Sequence, residues 1–174
     1  MIRKATMADV DRIAEIYEAI HTEEEAGRMC IGWIRGVYPT RGTAAASVLA
    51  GDMFVEIEDG VIVASARINR EQVAEYANAA WAADAPADRV MVLHTLTVDP
   101  ALRGRGYGPA FVKYYEEYAL ENDCPYLRMD TNEKNRAARA LYAKLGYAEA
   151  DIVLSQFNGI PDVHLVCLEK TLTV

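Results

Sequence analysis

Apolar positions change their period repeatedly along the chain, and each change marks an element. Val10, Ile13, Ile16, Tyr17 and Ile20 recur at helical spacing after Thr6, a side chain suited to capping, which predicts a helix from about Ala8 to the Glu23-Glu24-Glu25 cluster. Met1 to Ala5 before it reads as a short strand. Cys30 to Val37 is apolar around Trp33, and Tyr38-Pro39-Thr40 breaks the chain ahead of a second helix at about Arg41 to Leu49. Met53 to Ile57 and Val61 to Ile68 predict two strands joined at Glu58-Asp59-Gly60, a hairpin signal. Glu71 to Trp81 returns to helical spacing, and Asp84 to Asp88 is a polar loop around Pro86. Then follow a strand at Val90 to Val98, a helix at about Tyr107 to Asn122, a strand at Tyr126 to Asp130 and a helix at about Lys134 to Leu145. Strands at about Ala148 to Phe157 and Val163 to Thr171 turn at Asn158-Gly159. The order β-α-α-β-β-(α)-β-α-β-α-β-β, without repeat or linker, predicts one α/β (α+β) domain over residues 1–174, with a helical insert between the third and fourth strands.

Composition narrows the class. A chain of 174 residues is long enough for one hydrophobic core. It holds no apolar run near the roughly 20 residues that span a bilayer. Met1 to Thr6 leads into polar, helix-patterned sequence and not into a signal-peptide core, so a cytoplasmic protein without a membrane partner is expected. Cys30, Cys124 and Cys167 lack metal-ligand spacing and read as small buried apolar residues, with no metal implied. The net charge is −8, unevenly spread. Residues 1–102 carry 9 Lys/Arg against 16 Asp/Glu, residues 103–144 carry 8 against 6, and the remainder 1 against 4. The field therefore suits an anionic ligand on the 103–144 segment and a cationic one elsewhere, although acidic surfaces also serve solubility. Nucleic acid is excluded for want of a basic stripe.

The chemistry concentrates where the 90–98 strand ends. Val98 to Gly108 reads Val-Asp-Pro-Ala-Leu-Arg-Gly-Arg-Gly-Tyr-Gly and opens into a helix. Glycines at 104, 106 and 108 bare the backbone, and a helix N-terminus has unpaired N–H groups at the positive end of its dipole. Strand, bare loop and helix start make a phosphate site, or else a tight turn that binds nothing. No Gly-Lys-Ser/Thr closes the loop, so it is not a Walker A, and the third glycine of a dinucleotide fingerprint would fall on Pro109. The pattern it does fit is R-x-x-G-x-G, with Arg103, Gly106 and Gly108 in the fixed places. A second motif follows at Asp130 to Tyr147. There Asn135, Ala138 or Arg139, and Tyr142 share one helix face beside a stripe of Ala137, Leu141 and Leu145, and Gly146 can end the helix.

With Asn135, Ala138, Leu141, Tyr142, Lys144, Gly146 and Tyr147 in register, the two motifs make this chain resemble the GCN5-related N-acetyltransferases, the GNAT superfamily. The resemblance covers about residues 90 to 147. It implies a GNAT fold: a central, mixed, mostly antiparallel twisted sheet of about seven strands flanked by helices. It also implies direct transfer of an acetyl group from acetyl-CoA, as co-substrate, to a primary amine of a small molecule or peptide. On the same ground the N–H groups of Arg103, Gly104, Arg105, Gly106, Tyr107 and Gly108 would hold the pyrophosphate. Leu96, Thr97 and Val98 would bond the pantetheine arm like an added strand, with an N–H near Leu96 polarising the thioester carbonyl. Asn135 would support the arm, and Arg103 and Arg139 could pair with phosphates.

Two proton-transfer roles remain. Tyr142 matches the tyrosine that protonates the departing thiolate, since a phenol stays protonated at neutral pH; packing in a helix–sheet seam is the alternative. Deprotonating an alkylammonium costs about 4.6 kcal/mol at pH 7. A strand glutamate serves some members, but its place falls on Val92. His94, two residues on, is the candidate base, against Glu56 or Glu58 through water, no side chain at all, or a histidine that is merely hydrogen-bonded. Trp33, Tyr38, the Glu23-Glu24-Glu25 cluster, Tyr76 and Trp81 are candidates to meet the acceptor. A silent acyl-CoA-binding sensor and a partner-binding protein acting through the 71–82 insert are the other readings, and a homodimer is compatible with any of them.

Overall fold

The unbroken apolar run Val90-Met91-Val92-Leu93 has no polar face because both of its faces are covered. In the computed structural model, which describes residues 1–173, it opens the fourth of seven strands. The strands are β1 (Ile2–Lys4), β2 (Met53–Glu58), β3 (Val61–Asn69), β4 (Val90–Val98), β5 (Tyr126–Asn132), β6 (Ala148–Phe157) and β7 (Ile160–Thr171). They form one sheet in the order β1-β2-β3-β4-β5-β7-β6. Only β4 and β5 are parallel; the other neighbours are antiparallel. The helices are α1 (Val10–Glu25), α2 (Arg41–Ala50), α3 (Tyr107–Glu121) and α4 (Arg136–Lys144).

Side chains alternate across the sheet and so divide the core. Met91 and Leu93 of β4 join Leu127 and Met129 of β5 under Phe111, Val112 and Tyr115 of α3 and Tyr142 of α4. Val90 and Val92 point the other way, into a cluster with Tyr76, Leu165 and Cys167. On that second face Ile13, Ile16, Tyr17 and Ile20 of α1 and Ala44 of α2 cover Met53 and Val55. The helix predicted from about Ala8 starts as a single 3-10 turn at Met7–Asp9 and is α-helical from Val10. Asp9 accepts from the Thr6 amide at 2.7 Å and hydroxyl at 3.0 Å, and Arg3 beside it holds its carboxyl down to about 2.

The segment spaced as a helix at 71–81 is a loop with one 3-10 turn at Ala74–Asn78, and a second such turn lies at Ala87–Arg89. Tertiary bonds claim the amides that a helix would need. Ala80 donates to Asp151 at 3.0 Å, and Ala82 and Ala83 donate to Glu169 at 2.7 and 3.3 Å. The Trp81 indole donates to the Tyr76 carbonyl at 2.8 Å and its ring lies 4.2 Å from the Arg128 guanidinium carbon. Three strong anchors outweigh a propensity worth tenths of a kcal/mol per residue. Cys124 and Cys167 are buried, whereas Cys30 is exposed, in the loop after α1. Among the described residues no helix is long and apolar enough to cross a membrane.

Candidate active site

The parallel pairing of β4 and β5 runs from Val90 with Tyr126 to Leu93 with Met129 and stops. Beyond it β4 continues to Val98 beside β3, and β5 to Asn132 beside β7. The two strands part, and each leaves a row of backbone groups with no strand opposite. A bulge accompanies the parting: Ser65 and Arg67 of β3 face Thr97 and His94, so three steps on β4 answer two on β3. Thr95 sits in the bulge at φ 52°, a left-handed conformation that a β-branched residue rarely takes. Its hydroxyl is bonded to the Tyr38 hydroxyl.

A cleft of about 410 Å³ passes through this gap. From the α3/α4 side it is lined by Leu96, Val98, Gly104, Gly108, Asn135 and Tyr142, among others. From the α1/α2 side it is lined by Ile31, Trp33, Tyr38, Asp130, Phe157 and Val163, among others. Among the described residues Arg103 and Asp130 are its only charged side chains.

The glycine loop has the backbone its composition predicts. A 3-10 turn at Pro100–Leu102 is capped by Asp99, which accepts from the Ala101 amide at 2.9 Å and is itself held by Arg12. Gly104 and Gly106 lie at φ 79° and 87°, where a Cβ would be strained although nothing within 4 Å would obstruct it. Gly106 is the N-cap of α3. Among the described residues the amides of Gly104, Arg105, Gly106, Tyr107 and Gly108 donate to no protein acceptor. Five consecutive free N–H groups at the start of a 15-residue helix form an anion cradle. Pro109 follows in the first turn, where it removes no needed donor.

Tyr142 owes its position to the end of α4. Gly146 takes φ 86°, its amide donates to the Ala143 carbonyl at 3.1 Å, and the Tyr147 amide donates to the Tyr142 carbonyl at 3.0 Å. This is a Schellman motif, and its usual apolar contact is the Tyr142–Tyr147 ring pair at 6.1 Å. The Tyr142 ring is buried, its hydroxyl has no protein partner among the described residues, and burial with the nearby Asp130 carboxylate holds its pKa above the usual value. It stays protonated wherever the protein is folded.

Other residues chosen from sequence fall differently. Leu96, Thr97 and Val98 line the cleft, with the Thr97 hydroxyl turned into the protein, 2.8 Å from that of Ser65. Asn135 lines it too, but as the N-cap of α4, accepting from the Ala138 amide at 3.2 Å. Arg103 reaches the cleft and donates to Glu23 at 2.7 Å. Arg105 is exposed, and Tyr107 packs partly on the core. Arg139 does not line the cleft: it makes a two-pronged pair with Glu149 at 2.7 and 2.8 Å, which spends its donors away from the site. His94 is not there either. It shares the face of Val92, its Nε2 donates to the Asn69 side-chain oxygen at 3.0 Å, and burial with Arg67 nearby lowers its pKa to about 4. Its neighbour Thr95, in the bulge, does line the cleft. Glu56 and Glu58 do not line the cleft. Of the acidic cluster, Glu23 pairs with Arg28 and Arg103, Glu24 caps the Ile31 and Gly32 amides, and Glu25 pairs with Arg35.

Sequence reasoning missed Asp130. Its carboxyl lines the cleft from β5, the Tyr76 hydroxyl donates to its Oδ2 at 2.7 Å, and burial raises its pKa to about 6. An aspartate closing a strand reads as a turn residue, and nothing in the sequence announces that the neighbouring strand departs beside it.

The chain matches the model of the acetyltransferase (GNAT) family over residues 13–147. It belongs to that family. An acetyltransferase of the GNAT family from Streptococcus agalactiae superposes with a TM-score of 0.82 at 26% identity, over 100% of this chain and 96% of that one. The ribosomal-protein-S18-alanine N-acetyltransferase of Escherichia coli shares the fold, with a TM-score of 0.68 at 17% identity over 100% of this chain and 94% of that one. An uncharacterized N-acetyltransferase of Methanocaldococcus jannaschii is 30% identical over 73 residues, which are 42% of this chain and 32% of that protein. The GNAT chain thus spans about a third of that relative's length. Among the described residues no group of three His, Cys, Asp or Glu side chains is placed to hold a metal ion.

Proposed function

We propose that this GNAT protein transfers the acetyl group of acetyl-CoA directly to a primary amine, in a complex holding both substrates. The observation that carries the reading is the gap between β4 and β5, flanked at one end by five free amides and lined by a phenol without a protein partner. The residues fit the co-substrate. The amides of Gly104 to Gly108 would hold the pyrophosphate, with Arg103 turning from Glu23 to add charge. The unpaired edge of β4 over Leu96 to Val98 would hydrogen-bond the pantetheine arm, placing the thioester beside Tyr142. A backbone N–H in that stretch would polarise the thioester carbonyl. Tyr142 would protonate the leaving sulfur. The acceptor would enter from the side of Trp33, Tyr38 and Phe157, opposite the glycine loop. Its identity as a small molecule or a peptide belongs to the same experiment.

The test is release of free thiol from acetyl-CoA across a panel of primary amines, for the wild type and Tyr142→Phe. The wild type should turn over at least one amine. Tyr142→Phe should lower kcat by about a hundredfold while acetyl-CoA affinity stays within about twofold, as loss of a general acid predicts. Acetyl-CoA bound without turnover of any amine would move the reading to a sensor of acyl-CoA, and absence of binding would end both.

A further inference from the structure

We propose that Asp130 seats the ammonium group of the acceptor and takes its proton, and that Tyr76 of the 70–89 loop positions the carboxyl for that step. The inference rests on the transferase reading above, and gives the proton-accepting role to a residue that lines the cleft, as His94 does not. Asp130 is the only carboxylate lining the cleft among the described residues. It stands on β5 one residue past the last β4–β5 pair, where the gap opens. Its Oδ2 is fixed by the Tyr76 hydroxyl at 2.7 Å, whereas Oδ1 has no protein partner among the described residues. Tyr142 stands on the other side of the gap, near enough for the Asp130 carboxylate to hold the proton on the phenol. A proton acceptor and a proton donor thus face one passage from opposite faces of the sheet.

The loop at 70–89 gains a purpose on this account. Its anchors to Asp151, Glu169 and Arg128 bring Tyr76, fully within the core, to one oxygen of one carboxylate. The groups around Asp130 are Tyr76 and Glu75 from this loop, Cys167 on β7, Tyr38 from the segment before α2, and Tyr142 on α4. None is a cation. Burial and Glu75 favour the protonated acid, and Tyr76 favours the carboxylate, leaving the group able to take and release a proton near pH 6. The walls on the acceptor side are mostly apolar, with Ile31, Trp33, Phe157, Ile160 and Val163, and Tyr38 and Asn158 are polar residues among them. The acceptor that fits is a monoamine on an apolar body. An α-amino acid would bring a carboxylate toward Asp130 with no cation there to meet it.

In the step, an N–H bond of the ammonium breaks and an O–H bond forms on Asp130 Oδ1, which frees the nitrogen lone pair. The C–N bond then forms at the acetyl carbonyl as the C–S bond breaks, and the sulfur takes the proton of Tyr142. The second proton lost by nitrogen restores the phenol, and Asp130 releases its own to solvent, so one proton appears per turnover.

The experiment uses 2-phenylethylamine and its β,β-difluoro analogue, whose ammonium is a far stronger acid and needs little help to lose a proton. Asp130→Asn should bind acetyl-CoA as the wild type does and lose about a hundredfold in kcat/KM with 2-phenylethylamine, as general bases typically contribute. It should lose less than about tenfold with the difluoro amine, by the same reasoning. Equal losses on both amines, or none, would overturn the role. Tyr76→Phe should shift the acid limb of the wild-type kcat/KM profile, expected near pH 6, to higher pH, because the hydrogen bond it removes favours the carboxylate; an unmoved limb would overturn the positioning role. Calorimetric binding of 2-phenylethylamine beside 2-phenylethanol, with CoA present, needs no turnover. The amine should lose at least tenfold in affinity in Asp130→Asn and the alcohol should not. Unchanged amine affinity would overturn the seat alone, whereas failure of acetyl-CoA to bind would overturn the transferase reading and with it the proton-accepting role.

Discussion

Asp130 and His94 show how environment and not residue type decides which side chain can handle protons. Burial disfavours the charged form of both, which moves their pKa values in opposite directions: it lifts the carboxyl to about 6 and lowers the imidazole to about 4. Asp130 in the folded chain holds its proton more tightly than in the unfolded one, so stability is full below about pH 4 and falls as pH rises toward 6. Asp130→Asn should therefore raise stability at pH 8, by up to about 3 kcal/mol, and match the wild type near pH 4. Urea melts at the two pH values check this, and a destabilised variant at pH 8 would contradict it. His94 binds its proton less tightly when folded, so its contribution is present above about 6.5 and lost as pH falls toward 4. His94→Gln should flatten that acid-side loss in melts between pH 7 and 4 while leaving acetyl-CoA affinity unchanged. Tyr142 was legible because its spacing to Gly146 and Tyr147 is the spacing of a helix end. His94 keeps the period of Val92, so its face was legible; what period two does not show is the bulge at Thr95, which only the β3 partner reveals.

At the scale of elements, the loop into α3 and the loop at 70–89 were read with opposite success. The first is built from local rules: a capped 3-10 turn, two left-handed glycines and a helix start, all written in neighbouring residues. Gly106→Ala places a Cβ in open space but at φ 87°, so its cost is backbone strain of about 1 kcal/mol. We expect that loss in urea melts, together with weaker acetyl-CoA binding by calorimetry because the amide row must shift. The loop at 70–89 has helical spacing but takes its shape from Asp151, Glu169 and Arg128, all distant in sequence. Trp81→Ala removes the ring over Arg128 and the indole bond to the Tyr76 carbonyl. The ring is half-buried, so the change should cost about 2 kcal/mol, less than truncation of a fully buried aromatic side chain, and should broaden the pH profile's acid limb by loosening Tyr76. A variant with wild-type stability and profile would contradict the anchoring.

Across the whole molecule the sheet separates two chemistries and joins them at one gap. The segment 103–144, which alone carries more Lys and Arg than Asp and Glu, contributes the amide row, α3 and α4 on one face. The acidic N-terminal part contributes Trp33, Tyr38 and, through its 70–89 loop, Tyr76 on the other. The mixed, mostly antiparallel sheet of about seven strands was legible through the element order and the family resemblance that the two motifs carry, whereas the strand order was not. The parting of β4 from β5 is a relation between strands whose partners lie 36 residues apart, and no local pattern encodes it. The measurement that tests the account most directly is a crystal structure of the protein with acetyl-CoA. The pyrophosphate should lie within hydrogen-bonding distance of the Gly104 to Gly108 amides, the pantetheine arm along Leu96 to Val98, and the thioester between Tyr142 and Asp130. An acetyl-CoA bound elsewhere, or one whose thioester points away from both side chains, would contradict it.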